Sequence, residues 1–326
     1  PAEWAEIFKR SGAKYIVLTS KHHEGYCLWP NPQAWNWNSV DTGPGRDLAG
    51  DLVEAVRAEG LRIGFYYSLY EWFNPIYRND PERYVDQHML PQMKDLVLRY
   101  EPDIVWPDGE WDHPDTLWRS TEFLAWLYNE SPVREHVVVN DRWGKGIRSN
   151  HGGFYTTEYG HVGWGQDLAE QHKWEECRGI GKSFGFNRNE EIDDYATAQE
   201  LIRLLIAICN NGGNLLLNIG PTADGRIPVI MEQRLLEIGA WLEENGEAIY
   251  GTGRSPFPVL PWGCCTTKPG KLFLHVFEWP EDVLEVPGLK NEVTSAYLLT
   301  DPGTALEVSR EGEHTVRVEL PDHMPN

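Results

Sequence analysis

Long apolar runs are missing from this chain, and none approaches the roughly 20 residues that a bilayer-crossing helix needs, so a soluble protein is expected. Basic residues are scarce. Lys and Arg total 29 against 50 Asp and Glu, a formal charge of −21, which argues against neutralising the phosphates of a nucleic acid or an acidic membrane surface. Cysteine spacing of the CxxC type is also absent: Cys27, Cys177, Cys209, Cys264 and Cys265 are odd in number and unsuited to a zinc or redox motif, so they read as reduced and structural. There is no initiator Met or leader pattern ahead of Ala2-Glu3-Trp4-Ala5-Glu6-Ile7-Phe8, and the compartment is not legible from the residues.

What is present is an aromatic-rich globular chain. Its 326 residues are 41% hydrophobic and include 15 Trp and 14 Tyr, enough for one large domain and a small one. Apolar strands alternate with amphipathic helices: strand Lys14 to Ser20, helix Arg46 to Glu59, strand Arg62 to Tyr67, helix Arg83 to Tyr100, strand Asp103 to Trp106, helix Asp115 to Asn129 and strand His136 to Asn140. A strand near Phe154 to Tyr159, a helix Ala198 to Asn210, a strand Asn214 to Ile219 and a helix Val229 to Glu243 continue the series. Strands joined by crossover helices run parallel, and this many favour an α/β fold closed as a (β/α) barrel of the TIM type. From about Ser255, Pro256, Pro258 and Pro261 lead into short alternating strands such as Leu272 to Glu278 and His314 to Glu319. The expected division is a catalytic barrel over 1–254 and a C-terminal β-sandwich over 255–326.

In such a barrel the functional groups sit where strands end. In Pro102-Asp103-Ile104-Val105-Trp106-Pro107-Asp108-Gly109-Glu110-Trp111, Pro107 is expected to stop the ladder, because it has no N–H, and Asp108-Gly109 to turn the chain. A carboxylate held there can attack an electrophilic carbon or take a proton, and flanking indoles suit the C–H face of a sugar. His22 and His23 point to opposite faces as strand neighbours, so they make a poor metal site and better hydrogen-bond donors to ring hydroxyls. Arg142 can pair with a carboxylate and hold it ionised. Glu158 ends an aromatic-rich strand, where an apolar setting would raise its pKa and suit it to proton donation; Glu110 and Glu190 compete for that role.

These segments, together with others in register, carry a resemblance. Lys21-His22-His23-Glu24-Gly25-Tyr26, Gly64-Phe65-Tyr66-Tyr67-Ser68, Trp106-Pro107-Asp108, Asn140-Asp141-Arg142-Trp143-Gly144, Thr157-Glu158-Tyr159, Ser183-Phe184-Gly185-Phe186-Asn187 and Gly213-Asn214-Leu215-Leu216-Leu217-Asn218-Ile219-Gly220-Pro221 resemble the α-L-fucosidases of glycoside hydrolase family 29. The resemblance implies retaining hydrolysis of terminal α-L-fucosides, on a fucosylated oligosaccharide or glycoconjugate, without metal or cofactor. It implies Asp108 as nucleophile, Glu158 as acid/base, His22, His23, Tyr66, Trp106 and Arg142 as residues holding the sugar, and Phe184 beside its C6 methyl. A retaining site keeps its two carboxyls about 5–5.5 Å apart, one anionic and one protonated. The family's N-terminal barrel segment precedes the first strand found here, so the sequence is expected to be a piece of a longer protein, truncated at its C-terminal β domain as well. A secreted, periplasmic or lysosome-like setting follows by analogy. Two other readings are an α-L-galactosidase, which the apolar Phe184 wall disfavours by leaving the C6 hydroxyl unpaired, and a carbohydrate-binding protein without turnover.

Overall fold

The computed structural model describes residues 1–160, 172–258, 260–281 and 283–322. Four parallel strands form one sheet in the order β1 (Tyr15–Lys21), β2 (Arg62–Ser68), β3 (Ile104–Asp108) and β4 (Val138–Val139). Three more, β5 (Tyr155–Glu158), β6 (Trp174–Gly179) and β7 (Asn214–Asn218), form a second parallel sheet. Parallel neighbours need crossovers, and helices such as Leu48–Ala58, Leu90–Tyr100, Ser120–Asn129 and Ala198–Asn210 supply them. Their ends are written locally. The Asp47 side chain accepts from Gly50 N at 2.9 Å, and Thr197 and Glu200 cap each other reciprocally.

Two backbone bonds carry the chain from the first sheet to the second: Phe154 N donates to Val139 O at 3.0 Å and Gly153 N to Asn140 O at 3.2 Å. That approach needs glycine, because a Cβ on Gly153 would stand 1.9 Å from Val139 O. The inner faces of the sheets also meet. The β6 residue Glu175 accepts from Tyr15 of β1 at 2.5 Å and from Trp106 of β3 at 2.9 Å.

Apolar packing follows the sequence periodicity. Ile63, Phe65, Tyr67 and Val105 on the strands join Leu52, Val56, Met93, Leu96 and Val97 on the crossover helices in the main core. A second core gathers Leu201, Ile206, Met231, Leu235 and Ile238, and Trp4 and Phe8 pack against both. The last part of the chain has its own small core of Leu260, Trp262, Cys265, Leu284, Val286, Val316 and Val318. Its strands pair antiparallel: β8 (Gly263–Lys268) with β9 (Lys271–Val276), β10 (Val283–Pro287) and β13 (Val308–Glu311) with β14 (Thr315–Glu319), and β11 (Tyr297–Leu298) with β12 (Asp301–Ala305). All five cysteines are free thiols.

Several expected boundaries move, each for a local reason. Pro107 does not stop β3: Tyr67 still faces Pro107 and Ser68 still faces Asp108. The Pro107 backbone points toward β4, which has already ended, so its missing N–H leaves no ladder bond unmade; Pro107 O is taken instead by Asn140 Nδ2 at 3.0 Å. The helix expected over Asp115 to Asn129 breaks at Arg119, whose φ is +53°. The one ending at Tyr100 contains a π turn, Val85–Met89, ahead of Pro91, which cannot donate one turn back. Strand β6 is an element the periodicity does not announce, because Glu175 and Glu176 occupy buried positions where apolar residues are expected.

Candidate active site

Asp108 closes β3 and is 7% exposed. The turn after it requires Gly109, at φ +76°, to bring the chain back over Tyr70. Arg142 Nη1 donates to Asp108 Oδ1 at 2.6 Å and the Tyr66 hydroxyl donates to Oδ2 at 2.8 Å. Burial alone would raise the Asp108 pKa, but the charge and hydrogen bond of Arg142, with donors from Tyr66 and the Gly109 N–H, outweigh it and hold the carboxyl below its ordinary range. The side chain is an anion fixed in a dry, donor-lined position.

Arg142 is the hub of the site. Its Nη2 donates to Glu158 Oε2 at 3.1 Å, its Nε to Thr156 Oγ1 at 3.0 Å, and its guanidinium lies 4.4 Å from the Trp106 ring centroid. Asp141, fully buried, anchors the strand beneath by accepting from Thr156 Oγ1 at 2.7 Å and Thr156 N at 3.1 Å. One planar cation thus carries both candidate carboxyls on adjacent nitrogens.

Glu158 departs from expectation. No apolar pocket surrounds it: its side chain is 37% exposed and faces the guanidinium. It closes β5 opposite Cys177 of β6, and the aromatic character of the segment comes from its neighbour Tyr159, whose φ of +49° turns that ring toward Phe184 and Arg178. The competing acids differ in setting: Glu110 lies near enough for its charge to act on Asp108 and Arg142, whereas Glu190 belongs to the Ser183 loop. Glu110 is buried, with Oε2 lacking a hydrogen-bond partner among the described residues, and burial followed by the Asp108 charge raises its pKa. Glu190 braces its own loop by accepting from Ser183 N at 2.7 Å.

The sugar-holding candidates form a continuous aromatic lining from Asp108 outward. Trp106 and Tyr66 stack at 5.6 Å, Tyr66 and His22 at 5.4 Å with planes 7° apart, and His22 meets His23 at 4.0 Å. Phe184 stands apart from this lining: among the described residues its ring contact is with Tyr159, edge-on at 5.1 Å.

The role expected for His23 is reversed. Burial, then the His22 and Lys21 charges, lower its pKa to about 4 against the pull of Asp108, so the ring is neutral. Ser68 directs its single hydroxyl proton to Tyr70 O at 2.6 Å and must accept from His23 Nδ1, also at 2.6 Å. The remaining ring nitrogen, Nε2, is therefore an acceptor for a ligand hydroxyl.

Glu175 escaped the sequence reading because it lies on the unannounced strand β6. It is buried and raised in pKa, foremost by burial, with the Tyr15 and Trp106 donors offsetting part of the shift. Trp174-Glu175-Glu176, an aromatic followed by paired acids, is the signal that could have found it. Among the described residues no group of three or more His, Cys, Asp or Glu side chains is arranged to hold a metal ion, and no helix is long and apolar enough to cross a membrane.

Comparison with known proteins shows what the chain as a whole is similar to. The family model described as Alpha-L-fucosidase matches residues 1–247. The alpha-L-fucosidase of Dictyostelium discoideum is 46% identical across 98% of this chain and 69% of its own length, and the tissue alpha-L-fucosidase of Rattus norvegicus is 46% identical across 86% and 63%. This chain therefore spans about two thirds of those relatives. Among solved structures, alpha-L-fucosidase isoenzyme 1 from Paenibacillus thiaminolyticus superimposes with a TM-score of 0.88 at 30% identity, covering 100% of this chain and 84% of that one. The Thermotoga maritima alpha-fucosidase in complex with fucose gives 0.82 at 34% identity, with 98% and 75% covered.

Proposed function

The chain belongs to the α-L-fucosidase family, and from that premise we propose that it is a retaining exo-glycosidase releasing terminal α-L-fucose from glycoconjugates. The observation that carries the reading is the Arg142 fork, which holds Asp108 on Nη1 and Glu158 on Nη2 of one guanidinium.

In the proposed double displacement, the Asp108 carboxylate attacks the anomeric carbon as the C–O bond to the leaving group breaks, and Glu158 gives that oxygen its proton. Glu158, now ionised, takes a proton from water, which displaces Asp108 from the fucosyl ester and regenerates both groups. His22, His23, Tyr66, Trp106 and Arg142 are assigned to the fucose hydroxyls and ring, and Phe184 to its methyl group. The proposal extends to the fold. We read the two parallel sheets as arcs of one (β/α) barrel over 1–254, a reading supported by the Glu175 contacts across its interior, followed by an antiparallel β-sandwich domain over 255–326. Two carboxyls suffice for this chemistry, which calls for no metal or cofactor.

The test is hydrolysis of 4-nitrophenyl α-L-fucoside. Asp108→Gly is expected to lose activity by on the order of 10⁴-fold and to recover part of it with azide, giving a fucosyl azide of inverted anomeric configuration. Hydrolysis persisting in that variant without azide rules out Asp108 as nucleophile.

A further inference from the structure

Beyond the residues assigned to fucose, the aromatic lining continues onto the surface. Trp111 lies three positions past Asp108, and Trp72 lies on the loop after β2, its backbone N–H donating to His23 O at 2.9 Å. Both indoles stand edge-on to the His23 ring, at 5.2 Å and 5.6 Å, and Tyr70 fills the angle between them. Yet Trp111 is 48% and Trp72 38% exposed.

Slack loops do not explain that exposure. Behind the pair, Tyr70 packs edge-on against Tyr77 at 5.1 Å, Tyr77 stacks on the fully buried Trp118 at 6.1 Å, and the Tyr77 hydroxyl donates to Asp112 Oδ2 at 2.7 Å, next to Trp111 in the chain. Two rigid indole faces are thus left in water beside a carboxylate site, where each exposed apolar face is a standing cost unless a ligand covers it.

We propose that Trp72 and Trp111 form a stacking platform for the pyranose to which the departing fucose is attached, that is, a leaving-group subsite for a neutral hexose presenting its C–H face. The inference rests on the fucosidase reading. A terminal sugar has further residues on one side only, so a surface continuous with the site but past the fucose-holding histidines serves the aglycone. The net charge of −21 disfavours an anionic sugar there. Binding energy from this remote ring would be realised as faster cleavage of glycans than of minimal fucosides.

The test compares a fucosyl-hexose disaccharide with α-L-fucosyl fluoride, which has the same fucosyl group and no sugar to stack. Trp72→Ala and Trp111→Ala are each expected to lower kcat/KM about 10-fold on the disaccharide and to leave the fluoride within about two-fold; Trp111→Phe and Trp72→Phe, which keep a ring and the fold, should fall between. Unchanged disaccharide kinetics in the Ala variants overturns the platform, and so do equal losses on both substrates, which would make the tryptophans part of the fucose site itself. Wild-type protein inert toward the fluoride overturns the underlying fucosidase reading instead.

Discussion

On the wall built from β1 to β4, Asp108 is sealed in and takes charged and neutral donors from Arg142, Tyr66 and the Gly109 backbone. On the wall built from β5 to β7, Glu158 closes its strand with a side chain partly open to solvent and meets one nitrogen of the same arginine. The contrast matches two different duties. A nucleophile must stay anionic and fixed, which burial permits only when donors cancel the desolvation cost. An acid/base must give a proton, accept one from water and return to its first state, so it needs contact with solvent. The asymmetry is set by what covers each strand end: both carboxyls close their strands in register, Asp108 opposite Ser68 and Glu158 opposite Cys177, but Asp108 is enclosed by Tyr66, Arg142 and the Gly109 turn.

Removing the exposed partner tests the division most strongly. Glu158→Ala is expected to lower kcat/KM by about 10²–10⁴-fold on fucosides with poorly departing oxygens, and by much less on α-L-fucosyl fluoride, whose leaving group needs little protonation. Azide should rescue it with retained anomeric configuration, the opposite of the product from Asp108→Gly. Equal losses on both substrates, with an inverted azide, would move the acid role to another carboxyl and leave the comparison of walls without its second term.

The shared arginine should affect both walls, by a smaller factor. Arg142→Met removes the charge that outweighs burial at Asp108, so that pKa should rise and the acid limb of the kcat/KM profile move to higher pH. A loss of about 10²–10³-fold at neutral pH is expected. Breaking a buried pair also destabilises by about 3–5 kcal/mol. Arg142→Lys, which keeps the charge but cannot fork to both carboxyls, separates electrostatics from folding: its acid limb should stay near that of the wild type while activity falls. An acid limb that stays put in Arg142→Met would remove Arg142 as the cause of the low Asp108 pKa.

The residues made one wall more legible than the other. Strands β1, β2 and β3 declare themselves through apolar runs, and their ends yielded Asp108, Tyr66, His22, His23 and Trp106, all of which the structure links in one lining. Strand β6 stayed hidden because two of its buried residues, Glu175 and Glu176 on opposite faces, are acids, and periodicity takes buried positions to be apolar. The surroundings of Glu158 were misread for a related reason: composition along a strand does not show what faces the side chain at its end, here a guanidinium and solvent. The donor sense of His23 depended on a serine forty-five positions away, Ser68, whose proton goes to Tyr70. Contacts of that kind join separate strands and leave no mark in local sequence.

Glu175 ties the walls together, and its substitution should produce the smallest effect. Its two oxygens accept from Tyr15 on β1 and from Trp106 on β3, so it fixes the indole on which Arg142 rests without touching either candidate catalytic carboxyl. In Glu175→Gln the carbonyl can serve one donor while the amide faces the other, leaving a buried group mispaired at a cost of about 1–3 kcal/mol. Trp106 should then hold the sugar less well, raising KM about 10-fold with kcat little changed. A pH signature accompanies this. Because burial raises the Glu175 pKa above 4.5, the folded state binds more protons than the unfolded one across that interval, and stability should fall as pH climbs through it. Glu175→Gln removes that titration, so its thermal midpoint should decline less steeply with pH than that of the wild type. A parallel decline would mean that another buried acid, with Glu110 the first candidate, carries the dependence; a fall in kcat instead of a rise in KM would place Glu175 within the reacting pair's electrostatics and not merely behind the tryptophan.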